Sequence, residues 1–205
     1  MKAATSISTL LICVVVMACG GLSPRTAYPG TLRAPTTMAA NFMMRQRLTV
    51  TRVGAEPVRF ESVLQKSGNA LVLLGLTPFG TRAFLIELTG TDVRYESYLP
   101  GELPFPPQYI LFDVQRTVFP FLSDSALSDG WHEERSGEEL VRERWQGGLL
   151  VERTFERTSE VPPGQIRVVY ETGVLPGTMP PTTHFYNAWM GYELTIETVE
   201  QSALP

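Results

Sequence analysis

From residue 45 onward the chain alternates apolar and polar side chains in short runs separated by Gly, Pro, Asn and Asp. Residues 45–53 set Leu48 and Val50 against Thr49 and Thr51, and residues 58–65 set Val58, Phe60 and Leu64 against Arg59, Glu61 and Gln65. A period of two, closed by turn residues at short intervals, predicts antiparallel strands. Residues 70–76 are apolar on both faces, which predicts a strand covered twice. Thr77-Pro78-Phe79-Gly80 reads as a turn into residues 81–88, where Arg82, Phe84, Ile86 and Leu88 stand in phase. Gly90-Thr91-Asp92 then turns into residues 93–99.

The alternation stops at residues 100–107, where four prolines prevent ladder pairing. Pro107 suits a first helical position, with residues 108–119 behind it and Pro120 as the stop. Ile110, Leu111, Val114 and Val118 form one stripe, widened by Phe112 and Phe119, so this helix must be covered on more than one side. A short second helix is expected over residues 122–127. After Asp129-Gly130, strands resume over residues 131–135, 138–145, 149–157, 166–171, 182–188 and 192–200. In the third strand of this half Leu149, Val151, Arg153 and Phe155 are expected on one face. The many Glu and Arg residues between 138 and 157 read as opposite charges paired across a solvated sheet face. The pattern thus predicts a mainly β fold of about ten or eleven strands with a helical insert.

Ahead of the strands, residues 38–47 hint at a short helix, and residues 19–40 are rich in Pro, Gly, Ser, Thr and Ala without an apolar period. The latter read as a flexible tether that would sample roughly 25 Å. Residues 1–18 carry one positive charge, Lys2, and an apolar run from Ile7 to Ala18 that is too short to span a bilayer. Val16-Met17-Ala18-Cys19 closes that run. A charged start, a short apolar stretch and a small residue before a cut mark a secretory signal. A cysteine at the first mature position predicts the lipoprotein form, in which Cys19 is acylated and anchors the chain; simple secretion after Ala18 is the alternative. Gly20, where an Asp would retain a lipoprotein in the inner membrane of enteric-type bacteria, points to the outer membrane of a Gram-negative cell. Residues 41–205 then form one domain.

Composition narrows the chemistry. The chain holds 17 Lys and Arg against 21 Asp and Glu, for a net charge of −4, which argues against a nucleic-acid partner. It also offers no overall electrostatic attraction to anionic lipid. The second cysteine, Cys13, lies inside the signal, so thiol catalysis, a disulfide and a cysteine-based metal site are all excluded from the mature chain. His132-Glu133-Glu134-Arg135 lacks the second histidine of a zinc-protease helix, and no nucleophile elbow, phosphate loop or calcium loop is present. Asp113 and Asp124 near the helical insert read as surface or capping residues. No enzyme, metal or cofactor is expected.

The order of elements resembles LolB, the outer-membrane lipoprotein that receives lipoproteins from the periplasmic carrier LolA. The best local match is the apolar run Ala70 to Leu76 entering Thr77-Pro78-Phe79-Gly80, which is similar to the LolB strand that leads into Pro-Leu-Gly. The approach to Gln108, the Asp129-Gly130-Trp131 turn and the aromatic segment around Trp189 add to it. A nearer branch is the set of LolB-like lipoproteins of which some are encoded beside aryl-polyene pigment genes. The resemblance implies a half-open antiparallel barrel covered by short helices, and a lipid-like or acylated cargo in an apolar cavity. It further implies a LolA-like carrier as partner and a protruding apolar residue, here Phe79, that touches the membrane. Candidate cavity residues are Leu73, Phe84, Ile86, Ile110, Leu111, Val114, Val118, Trp145, Phe155 and Trp189. The competing expectation is the same fold with a filled core, serving as an assembly module of an envelope complex.

Overall fold

A computed structural model describes residues 28, 30–100, 106–122, 128–157, 164–175 and 178–205. Eleven strands form one antiparallel sheet: β1 (Phe42–Arg52), β2 (Val58–Ser67), β3 (Ala70–Leu76), β4 (Arg82–Thr89), β5 (Asp92–Ser97), β6 (Gly130–Ser136), β7 (Glu139–Gln146), β8 (Leu149–Arg157), β9 (Gly164–Val174), β10 (Thr182–Asn187) and β11 (Tyr192–Ala203). Their order across the sheet is β5-β4-β3-β2-β1-β11-β10-β9-β8-β7-β6. Each half is a meander, and the two halves join where β1 pairs with β11 along their whole length. The sheet does not close: β5 and β6 are opposite edges. The connection between them carries the single described helix, α1 (Pro107–Val118), across the concave face. The expected half-open, mainly β architecture is what the chain adopts.

Two apolar clusters fill the concavity. One joins Met44, Leu64, Leu71, Leu73, Ile86 and Leu88 of the first half to Leu111, Val118 and Phe119. The other joins Val141, Trp145, Phe155, Ile166, Val168 and Phe185 of the second half to Tyr28. Helix α1 sits between them, with Ile110 and Val114 turned to the first cluster and Tyr109 and Phe112 to the second. Pro107 does open the helix, and Phe119, extended ahead of Pro120, ends it. The expected second helix falls mostly on residues 123–127, outside the described residues, and Leu122 is not helical.

Several expectations are corrected. Residues 38–47 are not helical: a three-residue 3-10 turn, Pro35–Thr37, leads into β1, where Phe42, Met44, Gln46 and Leu48 point inward. Strand β3 is not covered twice, since Val72, Leu74 and Leu76 are only half-buried on its outer side. In β8, Leu150 and not Leu149 or Val151 is buried with Arg153 and Phe155. The register is irregular between Arg144 and Trp145 and between Leu150 and Glu152, which breaks the simple alternation. Gly173, at φ +71°, lies opposite: a Cβ there would stand 2.7 Å from that of Leu149. From Tyr28 onward the segment read as a tether packs into the body. Tyr28, Pro35 and Met38 are buried, and Gln115 of α1 pairs with both backbone groups of Arg33, accepting from its N–H at 3.0 Å and donating to its carbonyl at 2.7 Å.

Candidate functional site

Between α1 and the first half of the sheet lies a cavity of about 490 Å³. Alternation supplies its walls: Leu48 and Val50 of β1, Val58, Phe60 and Leu64 of β2, Leu73 of β3, Phe84 of β4, and Leu194 and Ile196 of β11 all face it. Ile110, Val114 and Val118, spaced four apart on α1, close it from above. Phe84 lies flat over Gly75, where any Cβ would stand 2.3 Å from its ring, so the missing side chain in β3 makes room for an aromatic wall. The lining runs from Leu64, 1% exposed, to Ala55, Glu56 and Val58 at the β1–β2 hairpin, where the cavity meets solvent. A volume and an apolar lining of this kind suit a small amphiphile.

The expected cavity residues separate into three groups. Leu73, Phe84, Ile110, Val114 and Val118 line this cavity. Ile86 and Leu111, fully buried, pack behind it in the same cluster. Trp145, Phe155 and Trp189 belong to the other cluster, across α1, where Trp145 borders a second cavity of about 500 Å³ with Leu150, Arg153 and Tyr170.

The helix is held from one side by a buried polar network that the sequence reading missed. Asp113, expected at the surface, is buried and accepts from Tyr28 Oη, Tyr192 Oη, Asn187 Nδ2 at 3.3 Å and Arg116 Nη1 at 3.3 Å. Burial pushes its carboxyl above the usual range, against the opposing pull of Arg116 and the two phenols. The same burial, together with the Asp113 charge, pushes both tyrosines up. Arg116 continues to Glu139 of β7 at 2.8 Å, Arg153 Nη1 of β8 donates to the Arg116 carbonyl at 2.7 Å, and Tyr170 Oη of β9 donates to that of Thr117 at 2.7 Å. Arg153 is itself paired with Glu143 at 2.8 Å, and Glu143 also accepts from the Trp145 indole at 3.1 Å. These ties run to the second half of the sheet and to the N-terminal segment. Towards β2–β4 the helix presents the apolar stripe and the cavity. Glu139, Glu143 and Arg153 are therefore interior residues, not members of a solvated ladder. The ladder exists around them: Arg142 bridges Glu133 and Glu156, and Glu152 binds Arg144 and Arg167.

Phe79 lies at the same end of the sheet as the cavity mouth, because β2 pairs with β3 as Glu61 with Leu76. It is 92% exposed. The turn that carries it is well built: Gly80 N–H donates to the Thr77 carbonyl at 2.9 Å, and Thr77 Oγ1 accepts from the N–H groups of Phe79 and Thr81. Gly80 takes φ +75°, which favours glycine. Val53, fully exposed, and the half-exposed Tyr98 and Leu99 stand at this end too. So do Arg52, stacked 6.0 Å from the Tyr192 ring, and Arg59 and Arg82, which form no ion pair with a described residue. Glu56 of the β1–β2 hairpin and Glu193 of β11 stand beside them, so the rim carries both signs.

No group of three or more His, Cys, Asp or Glu suited to a metal occurs among the described residues. His132 contacts the Ser128 carbonyl at 2.7 Å and His184 contacts Glu171 at 2.9 Å, both exposed. No helix among the described residues is long and apolar enough to cross a membrane.

A family model described as "Protein of unknown function (DUF3261)" matches residues 43–200, from the second residue of β1 well into β11. The chain belongs to the DUF3261 family. The match thus takes in the cavity walls and both hairpins of the mouth in this DUF3261 chain, but not Tyr28. No curated protein matches it in sequence. Among solved structures, a LolA superfamily protein from Nitrosomonas europaea is 11% identical at a TM-score of 0.45, over 85% of this chain and 96% of that one. A domain named for outer-membrane lipoprotein sorting, from Vibrio parahaemolyticus, is 9% identical at 0.39, over 80% and 85%. A DUF1329 family protein from Desulfovibrio piger is 10% identical at 0.38, over 82% and 88%.

Proposed function

We propose that this DUF3261 chain is a non-enzymatic, LolB-like lipoprotein that holds or hands over an acylated or lipid-like molecule at the periplasmic face of the outer membrane. The observation that carries the reading is the apolar cavity beneath Ile110, Val114 and Val118, open at the β1–β2 hairpin. Acylated Cys19, which lies outside the described residues, is the anchor. Phe79 and Val53 enter the bilayer interface beside the mouth, and Arg52, Arg59 and Arg82 face its phosphates. Inserting one apolar side chain of this size is worth about 1.5–3 kcal/mol, enough to orient the body but not to anchor it. Cargo arrives from a LolA-like carrier and passes through the mouth. Because the helix is tied to the second half of the sheet, opening takes place on the side of β2–β4.

The test is direct binding of a fluorescent fatty acid to the full chain in mild detergent. The wild type binds saturably, and Val114→Trp, which fills the space under the helix, lowers affinity at least tenfold with the fold intact. Equal affinity in both proteins refutes the assignment of the cavity.

A further inference from the structure

One residue departs from the apolar lining at the closed end. Gln46 of β1 is 5% exposed and faces the cavity, and its side-chain amide makes no hydrogen bond with a described residue. Its register partner on β2 is Ser62, also in the lining, whose Oγ is buried and likewise without a partner. On the other side Gln46 pairs in register with Thr198 of β11, whose Oγ1 is likewise buried without a partner, whereas two further polar groups of the lining are engaged: Thr117 Oγ1 donates to the Asp113 carbonyl at 2.7 Å, and Asp113 is saturated by four donors. Around the pair stand Leu64, Leu73, Val118 and Ile196.

An amide set in an apolar wall, open only to the cavity and without a protein partner, is unfavourable, and a leucine would fill the same inward position without that penalty. A saturated chain entering from the mouth would bring only methyl and methylene groups to it. Gln46 lies six residues below Arg52, about 20 Å along the strand, which matches the reach of an extended acyl chain.

We infer that the ligand is an amphiphile polar at both ends: a head at the mouth beside Arg52, and a hydroxyl or carbonyl at the far end of its apolar segment, bound by the Gln46 amide. An amide that both donates and accepts complements a hydroxyl most fully. This rests on the reading of the cavity as a lipid site and adds the class of lipid.

Palmitate and ω-hydroxypalmitate, competed against the fluorescent fatty acid on the full chain, test it. The wild type binds the ω-hydroxy acid roughly three- to tenfold more tightly, the worth of one hydrogen bond. Gln46→Leu and the unbranched Gln46→Met reverse the order while melting no lower than the wild type. Equal affinities of the wild type for the two acids, as when a water occupies the amide, overturn the inference and leave the cavity reading standing. Failure of both acids to displace the probe overturns the inference and the cavity reading together.

Discussion

The Tyr28 hydroxyl is the sharpest place to test whether the N-terminal segment belongs to the folded body. Tyr28→Phe removes one oxygen that donates to Asp113 and accepts from Asn187 Nδ2 at 2.6 Å. It keeps the ring contacts with Tyr109 at 4.9 Å and Phe112 at 5.9 Å, and the Arg116 guanidinium 5.0 Å from the ring. Loss of a hydrogen bond to a charged acceptor costs about 1.5–3 kcal/mol when the acceptor stays buried. For a chain of this length that amounts to a fall in Tm of about 3–12 °C. Thermal melting followed by circular dichroism measures it. Tyr98→Phe, which removes an exposed hydroxyl from Glu96, is the control and shifts Tm by about 1 °C or less. A Tyr28→Phe protein that melts with the wild type would refute the contribution of this hydroxyl and return residues 28–40 to the role of tether.

Phe79→Glu leaves Tm within about 1 °C of the wild type, because the side chain is exposed, yet weakens contact of the anchored body with liposomes; a large loss of Tm would place Phe79 in the core instead. Acid unfolding carries a signature of Glu152. Burial raises its pKa, but hydrogen bonds and charge from Arg167 and Arg144 win and hold it below the ordinary glutamate value of 4.5. A carboxyl lowered in the folded state contributes stability that is present above its unfolded pKa and is lost as pH falls through the folded one. The slope of unfolding free energy against pH below 4.5 is accordingly shallower in Glu152→Gln; an unchanged slope would show the pair to be inert.

Local periodicity carried most of the fold. Residues 70–76 and 149–157 match β3 and β8 end to end, and the helix begins on the expected proline. The start of β1 is not legible in the sequence for a physical reason: Gln46 occupies an inward position, so the alternation of Met44, Gln46 and Leu48 does not register as apolar. The burial of Asp113, Glu143 and Arg153 is not legible locally, because burial of a charge depends on partners far away in sequence. Tyr28 and Asp113 are 85 residues apart, and Arg153 and the Arg116 carbonyl 37. The same limit applies to the site. Stripe spacing alone points to Ile110, Val114 and Val118, and strand phase to Phe84. Which half of the sheet they face is set by the β1–β11 junction, so Trp145, Phe155 and Trp189 were grouped with a cavity that lies across the helix from them.

Whether the space beneath α1 holds a lipid-like molecule is decided by native mass spectrometry of the chain extracted gently from its own envelope. The expected spectrum shows the added mass of one amphiphile, released as the protein unfolds and absent from Val114→Trp. A chain that flies at its bare mature mass in every preparation, while holding a stable protein partner, would contradict it.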